Sequence, residues 1–326
     1  MRGYVLVSHG GPEVLHLRET PTPDPAPGEV IVDVEVAGVN FADTMIRRGE
    51  YLRNQPLSLG PGSEAVGRVS ACGDGVDIQR GRRVAAWVEA GGAYAEQVVV
   101  PAHRVYGVPE DLPAATIAAL FIQGTTAYYA VHRFGRLAEG ESLLVHAAAG
   151  GVGGLAAQLG ARAGAHVIAT ASTEPKREIA RANGAATLLD SRAPDELAEG
   201  VSWATGGRGV DVVVDGVGGP LFAPSLRALA VGGRYVLAGA ASQQPAMMDA
   251  RHLLVRNQWV CGFILAHITA ADPGEPQRAL DHLCALVRDG QISPRYETLP
   301  LEAAPEAHRL IEERGVLGKI VLEVQR

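Results

Sequence analysis

Two hydrophobic rhythms divide the chain. Up to about residue 100, apolar residues come in short valine-rich runs bounded by Gly or Pro: Tyr4–Val7, Val30–Val36, Val66–Val69, Arg83–Trp87 and Ala95–Val100. This pattern predicts strands. Pro21–Gly28, with four prolines, predicts an exposed connection. From Ala114 the spacing changes, and Ala115, Ala118, Ala119 and Ile122 recur at helical intervals.

Strands and helices then alternate. Ser142–Ala147 is a continuous apolar run of the kind a parallel strand shows when both its faces are buried. Helix Gly153–Ala163, strand His166–Thr170, helix Pro175–Asn183, strand Thr187–Leu189, strand Val210–Asp215, helix Pro220–Ala230 and strand Gly233–Leu237 follow. Such alternation predicts βαβ units and a doubly wound parallel sheet of Rossmann type. The apolar run near Trp259–Ile264 reads as an edge strand, a hazard if left open. Helices at Pro276–Arg288 and near Pro305–Glu313, then strand Lys319–Val324, form a tail too small to stand alone. The fold class is α/β, and the tail is expected to pack back on the β-rich N-terminal part.

Composition narrows the function classes. The chain has 326 residues, 47% apolar and 20% charged, which suits packed cores and excludes a disordered chain. Its net charge is −7 and no basic face is predicted, so nucleic acid is not an expected partner. No run approaches the roughly 18 apolar residues of a membrane span, and the first residues lack a signal-type apolar stretch. Cys72, Cys261 and Cys284 are odd in number and widely spaced, which fits a reducing cytoplasm and no disulfide scaffold.

The most informative stretch runs from Leu143 to Gly154, LLVHAAAGGVGG. A buried strand ends in a small-residue turn and a helix begins at once, the context a dinucleotide-binding loop requires. The spacing is A-x-x-G-x-x-G, with Ala147, Gly150 and Gly153 at the fixed places. Gly150 and Gly151 let the backbone approach a pyrophosphate, Gly153 lets the helix lie against the strand, and the helix N-terminus offers N–H groups.

About 20 residues further on, an NAD-binding domain carries an acid for the ribose hydroxyls. Here Ala171 and Ser172 stand in that place, followed by Thr173, Lys176 and Arg177. Small hydroxyls and cations suit a 2′-phosphate, so NADPH is the expected cofactor. Glu174 is the contrary signal, an acceptor for ribose hydroxyls, and Ser172 or Thr173 also suits a helix cap.

In these features the chain resembles the quinone oxidoreductases, the zeta-crystallin-like, zinc-free branch of the medium-chain dehydrogenase/reductase superfamily. The segments that carry the resemblance are GVNFAD (38–43) with Arg47 and GEY (49–51), PGSE (61–64), QGTTAY (123–128), the glycine loop, DVVVDGVGG (211–219), Gly232–Gly239 and GKIVL (318–322). The resemblance implies a GroES-like catalytic domain from residues 1–120 and 266–326, with a Rossmann domain, 121–265, inserted between them and the cofactor in the cleft.

Residue by residue, it implies that Asn40 and Tyr51 border the nicotinamide and substrate pocket, and that Thr126 sits beside the nicotinamide. Ala147, Gly150, Gly151, Val152 and Gly153 would line the pyrophosphate. Ser172 and Lys176 would hold the 2′-phosphate; because Ser191 replaces a common Tyr, either Arg192 takes a larger share or the phosphate is held more loosely. Gly239, Ala240 and Ser242 would lie under the nicotinamide ribose, Phe263, Ile264 and Leu265 near the carboxamide, and Lys319 near the adenine end. Met45 stands where relatives often carry Tyr.

Zinc relatives polarise a carbonyl through Cys and His ligands. This chain has Asn40 at the place of their first Cys and Ser63-Glu64 at the place of their His-Glu pair. The implied activity is hydride transfer from NADPH to acceptors electrophilic enough to need no Lewis acid, quinones or α,β-unsaturated carbonyls. Tyr51 is a candidate to donate to the developing oxyanion, or its ring only packs. An ion pair between Asp43 and Arg47 is expected to fix the Asn40 loop, and His146 is read as a satisfied structural residue. The competing functions are a non-catalytic NADPH-binding structural or regulatory protein, and an enone or enoyl reductase dedicated to one metabolite. A homodimer is expected.

Overall fold

The structure is a computed structural model and describes residues 1–22, 24–51 and 60–324. Position 23, inside the expected connection Pro21–Gly28, lies outside them. Two compact units form: Met1–Ile122, Pro273–Arg288 and Arg295–Arg326 make the first, and Gln123–Asp272 with Asp289–Pro294 the second.

Along the chain the elements are β1 (Arg2–Leu6), β2 (Leu15–Glu19), β3 (Glu29–Val39), α1 (Phe41–Arg48), β4 (Glu64–Cys72), β5 (Arg83–Trp87), β6 (Gln97–Pro101), β7 (Val105–Gly107), α2 (Ala114–Leu120) and α3 (Ile122–Tyr128). Next come β8 (Ser142–Val145), α4 (Gly151–Arg162), β9 (His166–Ala171), α5 (Glu174–Ala182), β10 (Thr187–Asp190), α6 (Leu197–Ala204), β11 (Val210–Asp215), α7 (Phe222–Ala228) and β12 (Leu229–Leu237). The last are α8 (Arg251–Arg256), β13 (Trp259–Gly262), α9 (Leu265–Ala271), α10 (Glu275–Arg288), β14 (Tyr296–Pro300), α11 (Ala304–Glu312) and β15 (Lys319–Glu323).

In the first unit a sheet runs β14-β15-β3-β4-β5-β7, with β6 also on β3. It is antiparallel except for the β14–β15 pair. The last strand thus lies beside one of the first, with Ile320 opposite Val39. Val30, Val32, Val34, Ala65 and Val84 share one core with Leu301, Ala304, Ile320 and Leu322 from the chain's end. β3 and β15 bury most of their residues where they meet, Asp33 and Glu35 of β3 being only partly covered.

In the second unit six parallel strands take the order β10-β9-β8-β11-β12-β13. That is the doubly wound order 3-2-1-4-5-6, with its switch point between β8 and β11, where ligands of such sheets bind beyond the strand C-termini. Leu144, Ile168, Val213 and Tyr235 form its core with Phe222 and Leu226 of α7.

The hydrophobic pattern misses several short elements: α1, β2, β7, β14, α6, α8 and α9. Tyr296–Pro300 is mostly exposed and becomes a strand only by pairing with β15. Leu197–Ala204 contains Gly200, which weakens a helical reading. The helix expected to reach Ala230 stops at Ala228, because Leu229 and Ala230 enter β12 opposite Val210. Among the described residues no single helix is long and apolar enough to cross a membrane.

Candidate active site

The glycine loop follows β8, whose four residues are all buried. Ala147 takes φ +51°, a left-handed conformation that an alanine adopts at a cost. Gly150 N–H closes the turn onto the Ala147 carbonyl at 2.8 Å. Helix α4 begins at Gly151, two residues earlier than the pattern predicts, and its N-cap, Gly150, provides no side-chain cap. The first-turn N–H groups, Val152 among them, lack intrahelical partners and face the loop. A β-carbon at Gly153 would sit 2.6 Å from the His146 carbonyl oxygen, so only glycine lets α4 lie this close. This geometry suits a phosphate-bearing ligand.

His146 anchors the loop from beneath and is fully buried. The Ser225 hydroxyl donates to Leu221 O at 2.6 Å, so it accepts from His146 Nε2–H at 2.7 Å. Nδ1 then accepts from the Thr170 hydroxyl at 2.9 Å. Burial holds the imidazole's pKa below its usual value, consistent with a neutral ring.

At the end of β9, Ser172 is half-buried and Thr173 is the N-cap of α5. Lys176, also half-buried, is the third residue of that helix. Glu174 is exposed, and Arg177 bonds one oxygen of its carboxylate, Oε2, through Nε at 2.9 Å and Nη2 at 2.7 Å. Arg192, expected on the phosphate, instead forks onto Asp190, with Nη2 at 2.7 Å and Nε at 3.1 Å. The sequence reading passed over Asp190 as a partner for Arg192. The two residues flank the tight turn after β10, where a bidentate pair forms locally. Hydrogen bonds from Arg192 hold the Asp190 carboxyl well below its usual range.

The remaining expected ribose and carboxamide residues collect at the ends of β11, β12 and β13. Ala241 and Ser242 N–H bond to the carbonyls of Gly216 and Val217 at 3.1 and 2.8 Å, which sets Gly239, Ala240 and Ser242 against the β11 loop. Buried Asp215 receives Val217 N–H at 2.7 Å, Gly218 N–H at 3.0 Å and the Tyr235 hydroxyl. Phe263 stacks on Phe134, centroids 4.6 Å apart and planes 12° from parallel, and meets Tyr129 edge-on. Ile264 is the N-cap of α9 and Leu265 its first residue. Thr126 is buried on α3.

In the first unit, Asn40 follows β3 as the N-cap of α1 and forms a capping box with Asp43. Its Oδ1 accepts from Lys319 Nζ at 2.7 Å, and its Nδ2 donates to Glu64 Oε1 at 2.8 Å. Lys319 pairs with Glu64, whose Oε2 accepts the Ile122 N–H at 3.0 Å. β15 pairs antiparallel with β3, which brings Lys319 beside Asn40, the residue expected to border the nicotinamide. The expected Asp43–Arg47 pair is corrected. Asp43 accepts from Asn40 N–H at 2.9 Å, Tyr94 OH at 3.1 Å and Ser63 Oγ, while Arg47 pairs with Glu312.

Burial pushes the Asp43 carboxyl up to about 6, against the pull of the Ser63 hydrogen bond. The same effect lowers His308, 3.3 Å from Tyr94 OH, to about 3. Met45 is half-buried on α1, and Tyr51, half-buried, stands just before the undescribed residues 52–59. Among the described residues no group of three or more His, Cys, Asp or Glu is arranged to hold a metal.

The sequence reading missed Glu64, Tyr94 and His308 as members of this cluster. The available signal was charge inside apolar strands, Glu64 opening EAVGRV and Lys319 opening KIVLE.

The family described as alcohol dehydrogenase GroES-like domain matches residues 26–110, and that described as zinc-binding dehydrogenase matches 151–283. The chain is 34% identical to the synaptic vesicle membrane protein VAT-1 homolog of Rattus norvegicus, over 99% of this chain and 84% of that one. It is 37% identical to a probable quinone oxidoreductase of Schizosaccharomyces pombe, over 98% and 96%. Escherichia coli quinone oxidoreductase, solved complexed with NADPH, superposes with a TM-score of 0.93 at 33% identity, covering 99% of this chain and 100% of that one.

Proposed function

Because the chain belongs to the zinc-free quinone oxidoreductase branch of the medium-chain dehydrogenase/reductase superfamily, we propose that this oxidoreductase uses NADPH to reduce a small apolar electrophile, a quinone or an α,β-unsaturated carbonyl. One observation carries the cofactor choice. At the 2′-position side of the loop, both nearby carboxylates are occupied, Glu174 by Arg177 and Asp190 by Arg192. Both acids are thus charge-compensated by arginine, whereas Ser172 and half-buried Lys176 offer a hydroxyl and an ammonium beside β9 to a 2′-phosphate.

The residues fit the dinucleotide: the uncapped α4 N-terminus and the open space beside Gly150, where a β-carbon would meet only the Ala147 carbonyl, make a cradle for a pyrophosphate. When bound, the dihydronicotinamide supplies the hydride. The chain's own part is positioning and exclusion of water. Asn40, its amide committed to Lys319 and Glu64, serves as a fixed wall of the pocket rather than a reacting group. Tyr51 donates to the oxygen on which negative charge develops.

The test is oxidation of NADPH and of NADH against a panel of quinones and enones, with and without a chelator. NADPH-linked reduction of 1,4-benzoquinone that survives chelation is expected. Tight NADPH binding with no turnover on any acceptor would favour the non-catalytic binder, and turnover confined to one enone would favour a dedicated reductase. A cytoplasmic setting is proposed from the dispersed free cysteines. A homodimer is proposed from the second unit. Edge strand β13 exposes Trp259, and neighbouring α8 exposes Leu254 and Val255, an apolar face suited to a second copy.

A further inference from the structure

Gln123 opens the second unit and is the second residue of α3. Its carboxamide lies against Gly151, the first residue of α4. A β-carbon built on Gly151 would run into Oε1 and Cδ, and would stand 3.2 Å from Nε2. Gly151 is thus required to leave room for this side chain.

We propose that Gln123 is a cofactor-binding residue whose carboxamide, seated in the space above Gly151, donates from Nε2 to the dinucleotide pyrophosphate. The proposal rests on the NADPH reading above and deepens it. Helix α4 is 12 residues long and carries no side-chain cap, so its N-terminal end is partly positive. A carboxamide beside it turns its oxygen toward the helix, as observed, and its amino group away, toward the place of the anion. Half-buried, Gln123 remains within reach of a ligand.

The position of Gln123 is fixed rather than incidental. The preceding residue, Ile122, donates its N–H to Glu64 Oε2 at 3.0 Å, which secures the start of α3. Thr126 stands three residues on, so the two side chains share one helix face. That face leads from Gly151 at the pyrophosphate toward Thr126, the residue expected beside the nicotinamide. A neutral amide is the suitable donor there, because it adds no charge that would compete with Lys176 for the phosphates.

The experiment is calorimetric titration of the full-length protein, as wild type, Gln123→Met and Gln123→Glu, with NADPH, NADH and adenosine 2′-monophosphate. The last probe has the 2′-phosphate and no pyrophosphate. Gln123→Glu should weaken NADPH and NADH alike by roughly tenfold or more, equivalent to about 1.4 kcal/mol per decade. Gln123→Met should lose several-fold, while adenosine 2′-monophosphate stays within twofold for both. Thermal melting should show no loss of stability for Gln123→Glu, since a carboxylate at a helix N-terminus is favourable. Dinucleotide affinities within twofold of wild type in both variants would overturn the proposal. So would a matching fall for adenosine 2′-monophosphate, which would mark a distorted loop. Wild-type protein that binds neither dinucleotide would instead overturn the NADPH reading itself.

Discussion

Lys319 and Glu64, 255 residues apart, form an ion pair with both side chains sealed from water. Asn40 and the Ile122 N–H complete the set of partners. A buried pair of this kind gives little net stability over an apolar pair, yet losing one partner strands the other charge.

The Lys319→Met variant should therefore be destabilised by about 3–5 kcal/mol in denaturant titration. Adding Glu64→Gln should recover part of that loss, because a neutral amide tolerates the dry site. A double variant no more stable than the single one would show that Glu64 does not depend on the ammonium for its charge.

The Asp43–Tyr94–His308 chain predicts two opposed pH responses. His308 falls from 6.5 to about 3 on folding, so its contribution is present above pH 6.5 and is lost as pH drops through 3. Asp43 rises from 3.8 to about 6, so its contribution is present below pH 3.8 and is lost as pH climbs through 6. Between pH 4 and 6 the two nearly cancel. Removing one exposes the other: Asp43→Asn should lose roughly 3 kcal/mol on acidification from pH 6.5 to 4, relative to its neutral value. Asp43→Asn and wild type showing parallel stability profiles over that range would contradict the assignment.

Lys176 should set cofactor preference. A hydrogen bond to a charged group contributes roughly 1.5–3 kcal/mol, so Lys176→Ala should weaken NADPH by roughly ten- to a hundredfold. NADH should be nearly untouched, and alanine preserves the helix. Because Arg177 and Arg192 are held by Glu174 and Asp190, their compensation should be small. Equal loss of both cofactors would make Lys176 structural, and a wild-type preference for NADH would show that Glu174 was the correct signal.

The apolar face of the second unit should be an interface. Leu254 and Val255 of α8 are 79% and 82% exposed, and Trp259 on the edge strand is 61% exposed. Light scattering of the wild type should give a dimer at micromolar concentration, and Leu254→Glu with Val255→Glu should give a folded monomer. A monomeric wild type would remove the interface.

Much of the second unit was legible because its signals are local. The βαβ alternation, the buried run of β8 and the glycine turn each lie within about ten residues, where strand and helix periods and turn chemistry act directly. The Arg192–Asp190 fork was equally local and could have been read from the acid two residues earlier. Short elements such as α6 and β14 were not legible, because their own residues do not favour one conformation strongly and packing decides it.

By itself, then, the sequence determined the two kinds of sheet, the glycine loop and the small-hydroxyl end of β9. Only tertiary structure decided the charged partners within the first unit: Lys319 with Asn40 and Glu64, and Arg47 with Glu312 in place of Asp43. The physical reason is register. Side chains alternate across a strand, so a one-residue slip of β15 against β3 would turn Lys319 to the opposite face. That register comes from burying Ile320 and Leu322 in a core shared with Val30 and Val34, contacts between residues far apart in the chain that no local pattern contains.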